Sequence, residues 1–202
     1  EISVIEQEAD LSADVPPHVL EVLARFTRLL RESPSVDQRS GVSARFAVAA
    51  AETVGAAAIH RAAVLGEDDP VARPVDTTTV VDVLRGKVEF ESGEEGREIE
   101  VLTHLLRRAT ADTARESLGG IDLGPLVNAI DQGEPVVTGA RVTAKALLDA
   151  LPDLPVVDEV AQRLGAASVG ERASALELAL EGLYLARRIG KDTADDGQTV
   201  YS

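Results

Sequence analysis

The chain contains no cysteine, methionine or tryptophan among its 202 residues. The absence of cysteine excludes disulfide bonds, thiolate metal ligands and a thiol nucleophile. It fits a reducing compartment, and we expect a cytoplasmic protein. Aromatic residues make up only 2% of the sequence, although hydrophobic residues reach 45%. Ala, Leu and Val therefore supply most of the apolar side chains, and such small or unbranched residues favour cores of closely packed helices.

The sequence also lacks segments that would insert it into a membrane or direct its export. No run approaches about 18 consecutive apolar residues, so we expect no transmembrane helix. The first residues, Glu1-Ile2-Ser3, do not have the basic start of a secretory signal peptide. Because the chain contains no methionine that could initiate it, we expect a processed or excised piece of a longer protein.

Basic residues are few, since 20 lysines and arginines stand against 35 aspartates and glutamates and the net charge is −15. Such a chain repels nucleic-acid phosphates unless its basic residues are concentrated locally. The densest basic clusters, Arg107-Arg108 and Arg187-Arg188, are short and are typical of solvated helix faces. We therefore expect neither a nucleic-acid partner nor a membrane partner.

Apolar residues recur at helical spacing along most of the chain. Long segments of this kind cover residues 18–31, 43–65 and 94–118, and Gly66 is a suitable C-cap for the second of them. The run Ser168-Val169-Gly170-Glu171 has the spacing of a capping box and opens a further helix. Shorter helical patterns lie between these segments. The sequence therefore predicts an all-α fold, a bundle of about eight helices.

A loop-like composition near residues 66–76 divides the helical pattern into two parts. We predict a small N-terminal helical domain over residues 1–70 and a larger C-terminal helical domain over 71–190, with a single continuous domain as the alternative. Residues 191–202 are mostly polar and predict a flexible tail of low order.

One polar turn between two long helical segments carries the residues best suited to contact a phosphate. It runs from Ser35 to Arg45 and opens into the helix over 43–65. A helix N-terminus offers free N–H groups and about half a positive charge, and an arginine adds a rigid, permanently charged fork. The candidate phosphate-binding residues are Arg45, Arg39, Gly41 and Ser43.

Each of these residues also has a purely structural interpretation. Arg45 either contacts the γ-phosphate of a nucleotide or forms an ion pair with a neighbouring acid such as Asp37, and Arg39 is open to the same alternatives. Ser40 and Ser43 fit capping positions, where a serine oxygen accepts from a backbone N–H group. No Gly-x4-Gly-Lys-Ser/Thr loop occurs in the sequence. The chain therefore has a candidate phosphate sensor without a phosphate cradle.

Other catalytic arrangements are not indicated by the sequence. His18, His60 and His104 lie on separate helical segments and have no HExxH partner, so we interpret them as exposed or half-buried helix residues and expect no metal site. The paired carboxylates are adjacent in sequence and therefore point apart on a helix. No nucleophile elbow occurs, which disfavours serine hydrolase chemistry.

The run from Arg31 to Arg45, which reads RESPSVDQRSGVSAR, resembles the sensor-2 region of magnesium-chelatase-type AAA+ ATPases, the group that includes the MoxR-like chaperones. In that family a Gly-x-Ser-x-Arg turn opens a helix of the α-helical lid, and here the turn reads Gly41-Val42-Ser43-Ala44-Arg45. Segments at residues 86–90, 95–98 and 181–186 are also similar to the family.

The resemblance implies a lid-like N-terminal part followed by a helical extension, with Arg45 as the sensor-2 arginine that contacts bound nucleotide. It assigns no role to Arg39. It implies ATP and Mg²⁺ as cofactors of the full-length protein and none for this piece, because the Walker A and Walker B segments and the arginine finger are absent from the sequence. The expected partners are its own upstream AAA+ core, further copies in a ring homo-oligomer and an unidentified client protein.

Two other classes of protein stay open from the sequence. A stand-alone helical protein-interaction module would explain why much of the chain carries no recognisable chemistry. A helix-turn-helix protein that binds DNA is disfavoured by the net charge of −15.

Overall fold

The computed structural model of the protein describes residues 2–9, 11–37, 39, 42–133, 135–194 and 198–202. These residues form nine α-helices and three short strands. The fold is therefore mostly helical, as the sequence predicts, but it is not purely all-α because it includes a small sheet.

The helices are α1 (Ile2–Glu8), α2 (Pro17–Glu32), α3 (Ala44–Leu65), α4 (Thr79–Leu84), α5 (Glu98–Ser117), α6 (Gly124–Gln132), α7 (Ala144–Asp149), α8 (Pro155–Arg163) and α9 (Val169–Leu185). The strands are β1 (Val136–Gly139), β2 (Lys191–Thr193) and β3 (Gln198–Tyr201). Two short 3-10 turns, Pro74–Thr78 and Arg85–Lys87, flank α4.

Local sequence signals determine where several of the helices begin and end. Helix α2 begins at Pro17, where a proline is tolerated because its missing N–H group would have no partner in a first turn. Helix α3 ends at Gly66, whose φ of 69° is left-handed and favours glycine. Helix α9 begins with the predicted capping box, in which Ser168 and Glu171 exchange hydrogen bonds. The predicted C-cap of α3 at Gly66 and the predicted N-cap of α9 at Ser168 are therefore confirmed.

The core consists of two hydrophobic clusters. The first is formed mainly by helices α1 to α5, where the rings of Phe26 and Phe46 lie 5.9 Å apart. The second is formed mainly by helices α6 to α9 and the sheet. Helices α5 and α9 pack against each other where the clusters meet. Most residues up to Ala114 belong to the first cluster, and the second cluster begins at Leu118. The sequence instead predicts a break near residues 66–76.

The sheet has the strand order β1-β3-β2, and both pairs are antiparallel. Val136 and Lys191 lie opposite Tyr201 on either side of the central strand, and the Tyr201 side chain is fully buried. The predicted flexible tail is therefore wrong for the described residues 191–194 and 198–202, which belong to the fold. Strands of only three or four residues are too short to show the alternation that identifies a strand in a sequence.

The helical spacing of apolar residues in the sequence predicts a buried face of α3 formed by Phe46, Ala50, Val54, Ala57, Ala58 and Val64. This prediction is correct at the beginning of the helix and wrong at its end. Phe46, Ala50 and Val54 are buried, whereas the Val64 side chain is 64% exposed. The same spacing in the segment 94–118 predicts that Ile99 points into the core, but its side chain is 45% exposed. Both residues lie in terminal turns of their helices, where the neighbouring elements no longer cover the apolar face.

Helix α3 is the one segment of the described chain that is long and apolar enough to cross a membrane. It packs against α1, α2 and α4, and a core helix surrounded by other helices has the same length and composition as a membrane span. Length and composition alone are therefore weak evidence that α3 crosses a membrane.

Candidate functional site

The candidate turn lies between the end of α2 and the beginning of α3, and its first half is fastened to a distant segment. The backbone N–H of Asp37 donates to the carbonyl of Glu89 at 2.9 Å, and that of Glu91 donates to the carbonyl of Ser35 at 3.0 Å. These bonds form an antiparallel bridge that pairs Val36 with Phe90. Residues 35–37 of the turn therefore have a defined position next to the segment that precedes α5.

A side-chain contact reinforces this bridge. The Ser35 hydroxyl donates to the Glu94 carboxylate at 2.8 Å. Beyond this contact, a groove of about 790 Å³ runs between the end of α2 and the first half of α5. Both acidic and basic side chains line it, among them Glu32, Arg97 and Arg107. Because charges of both signs are present, the groove does not favour an anionic ligand over a cationic one.

Arg45 lies in the first turn of α3 and is exposed. Within the described part of the chain, it forms no hydrogen bond and no ion pair. The first turn of α3 contains no acidic residue, although acidic side chains are the ones that the positive end of a helix favours. The helix N-terminus and the guanidinium therefore form an exposed positive corner of the fold.

Ser43 occupies the N-cap position of α3 and is exposed. Its backbone is extended, with φ −74° and ψ 160°, and its carbonyl accepts from the N–H of Phe46 at 3.0 Å. Its hydroxyl makes no capping hydrogen bond, so the predicted capping role of this side chain is wrong. Gly41 and Ser40 lie outside the described residues.

Arg39 has the structural role that the sequence leaves open for both arginines. Its guanidinium pairs with the Asp37 carboxylate at 3.1 Å, and its backbone N–H donates to the same group at 2.8 Å. The hydrogen bonds from Arg39 hold the pKa of Asp37 below its usual range. The Arg39 side chain is 87% exposed, so its ion pair contributes little to stability. Asp37 therefore pairs with Arg39 and leaves Arg45 exposed.

Arg31, in the last turn of α2, contacts the second half of the turn. Its Nε donates to the carbonyl of Val42 at 2.7 Å. Val42 is buried and lies one residue before the N-cap of α3. This hydrogen bond therefore joins the end of one helix to the beginning of the next.

A buried ionic network for which the sequence contains no local signal joins the two hydrophobic clusters. Arg73 is completely buried and pairs with Glu177 at 2.8 Å. The Arg73 guanidinium also donates to the Thr138 hydroxyl and to the carbonyl of Val142. Although Glu177 is buried, the Arg73 cation and the hydrogen bonds from Arg73 and Thr138 hold its pKa below the usual range.

A second buried arginine extends this network into α3. Arg61 pairs with Asp76 at 3.1 Å and with Glu67 at 2.9 Å, and it donates to the carbonyl of Val71. Glu67 in turn accepts from the backbone N–H of Ala144 at 2.7 Å. The segment near residues 66–76, which the sequence predicts as a domain boundary, is therefore joined to α3 by ion pairs and to the beginning of α7 by a hydrogen bond.

A cleft of about 1230 Å³ lies between α3, α4, α9 and the sheet. Buried polar groups on its floor, including Asp76 and Glu177, are hydrogen-bonded to other protein groups. The exposed side chains of Val64, Val83 and Ile99 line the same cleft. The polar groups of the cleft already have hydrogen-bond partners within the protein, and the remaining exposed side chains are aliphatic. This combination does not indicate a site for a particular small molecule.

The three histidines do not meet. His60 and His104 are exposed, whereas His18 is buried and its Nε2 lies 2.8 Å from the Ser174 hydroxyl. That hydroxyl donates to the carbonyl of Ala72 at 2.9 Å. Burial lowers the pKa of His18 to about 4. Among the described residues, no group of three or more His, Cys, Asp or Glu side chains is arranged to hold a metal ion.

Comparisons with family models, with curated proteins and with solved structures found no match to this chain.

Proposed function

We propose that the chain is the lid and the following helical region of a magnesium-chelatase-like AAA+ ATPase of the cytoplasm. In this proposal Arg45 contacts the nucleotide held by an ATPase core that precedes residue 1. The contact couples the state of the nucleotide to the position of the lid, and thereby to the remodelling of a client protein. The chain alone is not catalytic, because it contains neither Walker segment.

The observation that carries this proposal is the position of Arg45. A cation in the first turn of a helix opposes the helix dipole by up to about 1 kcal/mol, and no partner among the described residues compensates for it. The residue therefore contributes little to the fold where it stands. A phosphate placed at the same corner would accept from the guanidinium and from the free N–H groups of the helix.

The residues of this turn fit a phosphate and do not fit a magnesium ion. Arg45 supplies permanently charged donors that match phosphate oxygens. Magnesium prefers oxygen ligands such as carboxylates, and the Asp37 carboxylate is paired with Arg39. ATP would supply the phosphoryl group that is transferred to water, and Mg²⁺ would be held by the core. When hydrolysis removes the γ-phosphate, Arg45 loses its acceptor and α3 is free to move with the rest of the lid.

The first test is the sequence that precedes residue 1 in the reading frame. We expect a Gly-x4-Gly-Lys-Ser/Thr loop and, further on, an apolar strand that ends in Asp-Glu. A frame that starts at Glu1 after an initiating methionine would refute the proposal. It would favour the alternative of a stand-alone helical interaction module, which is consistent with the exposed aliphatic side chains along the cleft.

The second test is the variant Arg45→Ala in the protein that includes the core. Removing one charged donor from a developing phosphate charge costs about 10²–10³-fold in turnover, and we expect a loss in that range. The free energy of unfolding should not decrease by more than about 0.5 kcal/mol, because the side chain is exposed and its removal relieves an unfavourable interaction with the helix dipole. Arg28→Ala is the matched control, since Arg28 is an exposed arginine on α2. Equal turnover in the two variants would contradict the sensor role.

A further inference from the structure

We propose that Arg31 is a positioning residue for Arg45, an inference that rests on the proposed function. Arg31 lies in the last turn of α2, and Arg45 lies in the first turn of α3. The Nε of Arg31 donates to the carbonyl of Val42 at 2.7 Å. Through this hydrogen bond, Arg31 would fix the point at which α3 leaves the turn, and with it the direction of the Arg45 side chain.

The position of Val42 makes this contact effective. Val42 is buried, and the next residue, Ser43, is the N-cap of α3. The Ser43 hydroxyl does not cap the helix, so the first turn of α3 lacks the side-chain bond that usually anchors such a turn. Arg31 donates to the carbonyl of Val42, which lies three residues before Arg45. This hydrogen bond therefore anchors the backbone just before the helix begins.

The other end of the turn is held independently. The bridge between Val36 and Phe90 and the hydrogen bond from Ser35 to Glu94 fasten the first half of the turn. Loss of the Arg31 side chain would therefore remove one restraint on Val42 and on the beginning of α3, while the first half of the turn keeps its contacts. This asymmetry predicts a local effect at the beginning of α3 and no general loss of structure.

The structural part of the inference can be measured on residues 1–202 alone by amide hydrogen exchange. In Arg31→Ala we expect faster exchange in the peptides that cover Val42 to Ala47, because the N–H of Phe46 donates to Ser43 in this first turn. Arg28→Ala is the matched control, because Arg28 lies one turn earlier on α2 and is exposed. If exchange in Arg31→Ala equals that of the control, the inference is overturned.

The functional part is measured as ATP turnover of the protein that includes the core. Misplacement of a group by about 1 Å can cost about 10²-fold, so we expect Arg31→Ala to lower turnover by up to that factor. Arg31→Lys keeps a donor and should recover part of the loss. The double variant Arg31→Ala/Arg45→Ala should be no slower than Arg45→Ala, because Arg31 acts through Arg45.

These measurements separate the inference from the function on which it rests. If Arg45→Ala lowers turnover and Arg31→Ala behaves like Arg28→Ala, the sensor role stands and the positioning role is refuted. If the losses of the two single variants multiply in the double variant, Arg31 acts independently of Arg45 and the inference also fails. If Arg45→Ala leaves turnover unchanged, the proposed function fails, while hydrogen exchange still decides whether Arg31 fixes the turn.

Discussion

The stability of the protein should fall in mild acid because of one buried histidine. His18 is 5% exposed, and its Nε2 is hydrogen-bonded to Ser174, whereas its Nδ1 has no partner. Burial lowers its pKa from 6.5 to about 4, against the smaller opposing effects of Ser174 and of the Glu171 carboxylate. Folding therefore favours the neutral form of the His18 imidazole over the protonated form.

The sign and size of the effect follow from proton linkage. Between pH 6.5 and 4 the unfolded chain binds a proton at His18 that the folded chain does not, so the stability decreases as the pH falls. The contribution is fully present above about pH 6.5 and is lost as the pH approaches 4. A difference of this size in pKa corresponds to about 3 kcal/mol in total, of which about 2 kcal/mol should be lost by about pH 5.

The assay is urea unfolding of the wild type and of His18→Gln at about pH 7.5 and about pH 5. Glutamine does not titrate, so the variant should lose about 2 kcal/mol less than the wild type over this interval. Carboxylates titrate in both proteins and cancel in the comparison. His60→Gln is the matched control for the loss of a histidine, because His60 is exposed. Equal pH dependence in wild type and His18→Gln would refute the argument.

Two further predictions concern the core. Phe46→Ala removes a buried ring that packs against Phe26 and should lower the free energy of unfolding, measured in urea, by about 3–5 kcal/mol. Val64→Ala, at an exposed position, is the control and should change it by less than about 0.5 kcal/mol. Similar values for the two variants would mean that the buried face of α3 is assigned wrongly. Arg73→Met leaves the Glu177 carboxylate buried without its cation and should cost about 3–5 kcal/mol. Adding Glu177→Gln should restore part of that loss, and a double variant as unstable as the single one would refute the ion-pair explanation.

The parts of the fold that the sequence predicts are those with strong local signals. The helix ends at Gly66 and Ser168 depend on φ preference and on a hydrogen bond across three residues, and both are visible in the sequence. The sheet depends on pairing between Val136 and Tyr201, which are far apart in the chain. Strands this short carry no clear period of their own, so no local pattern could reveal them.

The buried charges could not be predicted for a different reason. Arginine and glutamate are almost always exposed unless paired, and the partners Arg73 and Glu177 are 104 residues apart. Neither residue lies in a recognisable motif, so each is most simply interpreted as part of a solvated surface. His18 shows the same limit, because its burial depends on α9 packing over it through Ser174. Long-range contacts of this kind become visible only in the folded structure.

The arginines of this chain fall into groups that differ in what they do for the fold. Arg61 and Arg73 are buried and bind carboxylates that would otherwise be unpaired. Arg39 binds the neighbouring acid that could have neutralised Arg45. Arg45 itself is exposed at the helix end where a positive charge is least favourable. In a chain with a net charge of −15, acidic side chains are abundant, yet none of the described residues pairs with Arg45. Under the proposed function, the phosphate of a nucleotide held by an ATPase core would be the acceptor for Arg45 at this corner.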